Sequence, residues 1–183
     1  MIGELDNMNK LLQITETDNL EKYINKIRTF LSDLVIEYPL HDQWFSGVVG
    51  ELRKNTKTRE ILFILNNSDE IVGVSILKKT KLEKKICTFR VAEKYQRQGI
   101  GTMLMKKSLE FLETDKPIIT VSGSKHNEFI RLFKLFNFSL NMVYFGKYCD
   151  LSLEYCYNGV LSPETILKNQ HKDSTGYVSI EIA

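Results

Sequence analysis

The spacing of apolar residues changes period along the chain, and each change marks an element. "LLQIT" (11 to 15) reads as a short first strand. Asp18 with Glu21 three residues on has the spacing of a capping box. It opens a run in which Leu20, Ile24, Ile27, Phe30, Leu31 and Leu34 share one helical face. After Pro39, "LHDQWFSGVVGELRKN" repeats the helical period more weakly, because Gly47 and Gly50 lower its propensity. The pattern then turns β-branched: "EILFILNN" and "EIVGVSILKK" flank the turn signal Ser68-Asp69 and predict an antiparallel hairpin. "KKICTFRVA" (84 to 92) predicts a third strand of that kind. From Ile100 to Glu113 the helical period returns, with Leu104, Met105, Leu109, Phe111 and Leu112 on one arc and Lys106, Glu110 and Glu113 opposite. "PIITVSGS" (117 to 124) is short and apolar enough for a central strand, and Ser124 is placed to cap a helix through Phe136. "SLNMVYFGKY" and "LSLEYCYNG" predict a last strand pair bent near Gly146. The closing run "GYVSIEIA" is β-like and suited to a partner chain or the sheet edge. Strands and helices alternating in this way predict a single α/β (α+β) domain on a mixed sheet.

Composition narrows the class. With 183 residues, 43% of them hydrophobic, the chain can bury one sizeable core. Lys+Arg 25 against Asp+Glu 23 leaves a net charge of +2, too little to predict a nucleic-acid partner. No apolar run approaches the roughly 18 residues of a membrane span. The start "MIGELDNMNK" is acidic and polar where a signal peptide is basic and then apolar, so the expectation is a cytoplasmic protein without a membrane partner. Cys87, Cys149 and Cys156 are odd in number and lack metal-ligand spacing, which predicts reduced thiols and no metal.

The chemistry concentrates in "KYQRQGIGTML" (94 to 104), where a strand gives way to a helix through two glycines. The first turn of a helix leaves backbone N–H groups without partners, and the helix dipole adds positive potential there, so that end attracts an anion. Gly99 and Gly101 lack a Cβ and let a phosphate approach the amides of residues 98 to 102, beside Thr102 and Arg97. The lesser alternative is that the same glycines merely serve a tight strand-to-helix turn. Neither familiar nucleotide motif is present: the dinucleotide fingerprint needs a glycine where Leu104 stands, and the P-loop needs Gly-Lys followed by Ser or Thr.

"QRQGIG" resembles the Q/R-x-x-G-x-G/A signature of the GNAT (GCN5-related) N-acetyltransferases, carried here by Gln96, Gly99 and Gly101. The likeness extends upstream to the strand ending at Val91 shortly before Tyr95, and downstream to "PIITVS" and "HNEFIRLFKLFNF". It is specific over residues 60 to 138. It implies a mixed central sheet of about six to seven strands flanked by helices, splayed between the fourth and fifth. Residues 1–58 then form the acceptor side, 59–138 the acetyl-CoA-binding core and 139–183 the last strands and tail. The resemblance also implies acetyl-CoA as co-substrate: Phe89, Arg90 and Val91 along the pantetheine as an added strand, Gln96, Arg97, Gln98, Gly99, Ile100, Gly101 and Thr102 around the pyrophosphate, and Asn127, or His126 beside it, with Phe133 approaching from the next helix. His126, near a helix start, reads more readily as polar surface.

The implied reaction is transfer of the acetyl group from the thioester to a primary amine of a small molecule or protein. The amine must lose a proton and the departing thiolate gains from a donor. Many members place a tyrosine in Y-x-x-x-G-F as that donor, but "FKLFNF" has Phe133 for the tyrosine and Asn137 for the glycine. Either solvent or another tyrosine, Tyr144 among them, protonates the sulfur, or the protein is a non-catalytic acyl-CoA-binding module. The base is not evident: where some members carry a glutamate on the fourth strand, Thr88 and Arg90 stand here. Glu60, Glu51, His41 and Glu154 are candidates, each of which reads more readily as an ordinary surface or pairing residue. Cys87 reads as a small buried hydrophobe rather than a nucleophile. Trp44, Phe45, Tyr144, Tyr148, Tyr155 and Tyr157 form an aromatic set that shapes either an acceptor pocket, the core or a homodimer surface.

Overall fold

The computed structural model describes residues 9–17, 20–54, 57–161 and, for the backbone alone, 179–181. Strand β1 (Asn9–Gln13) leads through a 3-10 turn into helix α1 (Leu20–Phe30), a 3-10 segment (Ser32–Ile36) and helix α2 (His41–Arg53). Strands β2 (Arg59–Asn66), β3 (Ile71–Lys79) and β4 (Lys84–Val91) follow, then α3 (Ile100–Leu112), β5 (Ile118–Ser122), α4 (His126–Leu135), β6 (Leu140–Phe145), β7 (Leu153–Tyr157) and the short β8 (Ser179–Glu181). The sheet order is β1-β2-β3-β4-β5-β7-β6-β8, antiparallel everywhere except β4–β5. Seven strands build the expected mixed sheet. The C-terminal run adds an eighth by pairing with the sheet edge at β6.

Both faces are covered, and β2 shows why its sequence reads as an unbroken apolar run. Ile61 and Phe63 face a core shared with Ile24, Ile27, Phe45 and Val48 of α1 and α2. Leu62 and Ile64 face the opposite core with Leu104, Met105 and Phe133 of α3 and α4. Phe63 is fully buried. Phe63→Ala is therefore expected to cost about 3–5 kcal/mol in a urea unfolding experiment, since α1 and α2 lose the ring they pack on.

Several local expectations are corrected. Ser124 does not cap α4: the helix begins after Lys125 with no side-chain cap, and the Ser124 hydroxyl donates to Glu37 at 2.7 Å instead. Gly47 and Gly50 do not interrupt α2, whose buried face of Phe45, Val48, Val49 and Leu52 outweighs their low propensity. Asp18 lies outside the described residues, and the Glu21 carboxylate is taken by Arg53. The departure at Asn137 has a backbone reason: φ there is +53°, the left-handed region that glycine favours and asparagine tolerates best among the others. It ends α4 with Phe138 N–H donating to the Phe133 carbonyl. Cys87, Cys149 and Cys156 are all free.

Two irregularities in the middle of the sheet position the site. The β3–β4 register passes from Leu77↔Ile86 to Ile76↔Thr88, leaving Cys87 as an extra residue in β4, a bulge that bends the strand. β4 and β5 then pair only at Lys85↔Ile118 and Ile86↔Ile119. Beyond those positions β4 runs on to Val91 while β5 gives its remaining pairing to β7, so the sheet is splayed at its centre.

Candidate functional site

At the end of β4 the chain makes a 3-10 turn (Glu93–Tyr95) and enters α3. The Tyr95 hydroxyl is bonded by Asn66, the Gln96 amide donates to the Val91 carbonyl, and the Gln98 amide donates to the Lys94 carbonyl, so these side chains hold the loop from behind. Arg97 (φ +60°) and Gly99 (φ +83°) both take left-handed backbone, which turns the chain sharply into the helix. Gly99 is the N-cap and no side chain bonds into the first turn. The first helical bond runs from Met103 N–H to the Gly99 carbonyl, which leaves the amides of Ile100, Gly101 and Thr102 without helical acceptors. A Cβ on Gly99 would meet nothing within 4 Å. Residues 96–99 are exposed while Ile100 is 1% exposed and anchors the turn. The start of this helix is thus an open, amide-lined seat that fits a phosphate-bearing ligand.

The seat adjoins the splay. On the α3–α4 side, Phe89 and Val91 project toward the helices, and Phe89 meets Phe129 of α4 edge-on at 6.1 Å. Arg90 projects to the other side, where its guanidinium pairs with Asp33 and lies over Phe30. Phe133 sits among Phe129, Phe138 and Tyr157 and is 2% exposed. Asn127 is exposed in the first turn of α4. His126 is committed to β7, with Nε2 at 2.6 Å from the Tyr157 hydroxyl and its ring stacked on Tyr155.

The opposite side of the splay holds a buried polar group. Glu154 of β7 stands across from Ser122 of β5 and is 2% exposed. The Tyr38 hydroxyl donates to its carboxylate at 3.3 Å. Tyr38 comes from the α1–α2 connection and meets Tyr148 of the β6–β7 connection edge-on at 5.5 Å, so two loops close over one carboxylate. Burial pushes the Glu154 carboxyl up to about 7, against the opposing influence of Thr120, Lys85 and Tyr38. Burial also raises the Tyr38 and Tyr148 hydroxyls, and it lowers the Lys147 ammonium to about 8 with help from Lys85.

The other candidate acids and bases lie elsewhere or are engaged. Glu60 is buried on β2, two strands from the splay, and accepts from the amide and hydroxyl of Thr15 and the amide of Ile61. Glu51 pairs with Arg59, whose guanidinium also lies 3.4 Å from the Cys87 sulfur. Cys87 is half-buried at the bulge rather than fully enclosed. The Tyr144 oxygen accepts the Leu161 amide at 3.0 Å. Phe45 belongs to the α1–α2 core, and Trp44 packs against it. His41 stacks on Phe45. Sequence reasoning missed Tyr38, Ser122 and Lys85. Only Tyr38 carried a signal, an aromatic fixed before Pro39 in a helix connection.

Comparisons with known proteins agree with this geometry. A family model described as an acetyltransferase (GNAT) domain matches residues 40–134. A GNAT-family acetyltransferase from Desulfovibrio desulfuricans superposes with a TM-score of 0.62 at 15% identity, covering 81% of this chain and 96% of that one. An acetyltransferase of the same family from Streptococcus pneumoniae gives 0.58 at 15% identity, covering 81% and 98%. Arabidopsis thaliana NAA60, solved with a bisubstrate analogue, gives 0.57 at 15% identity, covering 81% and 96%. No curated protein matches by sequence. These likenesses show the fold, and the match over more than half the chain shows the family: this protein belongs to the GNAT acetyltransferases.

Proposed function

We propose that the chain is an N-acetyltransferase that moves an acetyl group from acetyl-CoA directly to a primary amine. The observation that carries this reading is the open first turn of α3 beside the β4–β5 splay. The amides of Ile100, Gly101 and Thr102, with Arg97 beside them, hold the pyrophosphate. The unpaired edge of β4 from Phe89 to Val91 offers backbone groups to the pantetheine as a neighbouring strand would. When bound, acetyl-CoA supplies the activated acyl group. The three free thiols fit a reducing, cytoplasmic compartment.

Glu154 is the base in this reading. A carboxylate that titrates near 7 is suited to take a proton from an incoming ammonium at neutral pH. Tyr38 orients it, and the Tyr38–Tyr148 contact keeps bulk water off it. Phe133 in place of the family's tyrosine is compatible with turnover, because a thiol of pKa about 8.5 leaves without a strong acid at hand. Solvent can return its proton.

The test mixes protein, acetyl-CoA and a panel of amines and follows thiol release. Release that saturates in both substrates supports the assignment. Tight CoA binding with no release from any amine would instead identify a non-catalytic acyl-CoA-binding module, the reading that Phe133 favours.

A further inference from the structure

Deprotonation of the amine and departure of the CoA sulfur leave one proton to be moved, and Phe133, enclosed among apolar rings, cannot carry it. Most of the described tyrosines are engaged away from the gap between β4 and β5. Tyr157 is bonded to His126, Tyr155 is stacked on the same imidazole, Tyr144 accepts from the Leu161 amide and Tyr95 is held by Asn66 behind the phosphate seat. Tyr38 donates to Glu154. Tyr148 differs. Its half-buried ring stands edge-on to Tyr38 with the Lys147 ammonium 5.8 Å from the ring centre. Its hydroxyl end lies among Lys85 and Cys87 of β4 and Thr120 of β5, whose charges and hydrogen bond act on it. Those three residues mark the apex of the splay. The last β4–β5 pairs are Lys85↔Ile118 and Ile86↔Ile119, so the bulged Cys87 and Thr120 are the first residues on either side of the gap. An arm that enters beside Val91 and lies along β4 past Phe89 carries its sulfur toward that apex.

Thr120 also joins this hydroxyl to the base. Side chains alternate along a strand, so Thr120 and Ser122 share one face of β5, and Glu154 stands opposite Ser122 and diagonal to Thr120. The Thr120 hydroxyl acts by hydrogen bonding on both the Glu154 carboxyl and the Tyr148 phenol. Resting on the transferase reading with Glu154 as base, we infer that Tyr148 is the proton donor to the departing CoA sulfur and that Thr120 returns to it the proton that Glu154 takes from the amine. As the amine nitrogen bonds to the acetyl carbon and the C–S bond breaks, the Tyr148 O–H protonates the sulfur. The phenolate then takes the Thr120 hydrogen, and Thr120 takes the one held by Glu154. One proton leaves nitrogen, one arrives on sulfur, and all three side chains end as they began. Lys85, 8% exposed, favours the transient phenolate by its charge.

The experiment varies the leaving group. Formation of acetylated amine is measured with acetyl-CoA and with its selenium analogue, acetyl-seleno-CoA, whose selenolate leaves without protonation because a selenol is far more acidic than a thiol. The acceptor is whichever of 2-phenylethylamine, spermidine, lysine and a tripeptide with a free N-terminus the parent acetylates fastest. Tyr148→Phe keeps the ring against Tyr38 and removes only the hydroxyl. With acetyl-CoA its kcat is expected to fall about a hundredfold while CoA affinity in calorimetry is retained, and with the selenoester the loss is several-fold at most. Thr120→Val should lower kcat with the thioester by about tenfold or more, and Thr120→Ser, which keeps the hydroxyl, should restore it. Equal losses on the two esters in Tyr148→Phe make the residue structural, and an unchanged thioester rate makes solvent the donor; either result overturns the inference. A Thr120→Val enzyme as fast as the parent overturns it too, because the proton then bypasses Thr120. In each of these outcomes the parent still turns over, so the transferase reading stands. A parent that acetylates none of the four amines removes that reading and this inference with it.

Discussion

Gly99→Glu lowers CoA affinity by at least about a hundredfold in calorimetry, while the protein stays folded. The substitution sets a negative charge against a polyanion at the positive end of a 13-residue helix, a few ångströms from where the phosphates sit. The new Cβ meets nothing within 4 Å, so loss of binding does not reduce to a clash with the protein itself. The left-handed backbone at φ +83° adds strain of about 1–2 kcal/mol for any non-glycine residue. Gly99→Ala carries that strain without the charge, and its expected loss of affinity is much smaller. If Gly99→Glu binds CoA as well as the parent does, the phosphates do not sit on α3 and the cofactor assignment fails.

That seat was legible because its chemistry is local. Two glycines, a preceding strand and a following amphipathic helix are contiguous in sequence, and the backbone they dictate is the functional group. The strands of the first hairpin and β4 were legible for a related reason: their β-branched runs are long enough to specify buried strands on both faces. The splay was implied by family resemblance alone. Nothing in "KKICTFRVA" announces that Cys87 is the extra residue of a bulge, because a bulge is a relation between two strands. The acceptor side was the least legible. Glu154, Tyr38 and Tyr148 lie in three separate elements, and only folding brings them together. In sequence, Glu154 cannot be told from Glu60, yet Glu60 on β2 ends bonded to Thr15 of the 3-10 turn after β1, while Glu154 on β7 stands opposite Ser122 at the end of β5. The Ser124 cap failed in the same way: a local propensity was outcompeted by Glu37, 87 residues away.

Glu154→Gln separates the base from the cradle. The amide keeps the shape and can still accept from Tyr38, but it cannot take a proton, so kcat is expected to fall by about a hundredfold to ten-thousandfold while CoA affinity is retained. The pH dependence gives a sharper signature. In the parent, kcat rises with pH through about 7 as Glu154 ionises, and in Glu154→Gln that limb disappears. Stability moves the other way. The folded-state value of about 7 lies above the ordinary 4.5, so between those limits the native carboxyl keeps a proton that the unfolded chain has released. The stabilisation from this group is complete below 4.5 and is lost as pH rises through about 7, an effect of roughly 3 kcal/mol. Thermal unfolding of the parent should therefore drop between pH 5 and pH 8 by more than that of Glu154→Gln. The protein keeps an ionisable group where burial disfavours its charged form, and that same burial brings the base into the neutral range where an amine must be deprotonated. Should Glu154→Gln retain the rising limb of kcat, another group removes the proton and the closed Tyr38–Glu154–Tyr148 arrangement is structural only.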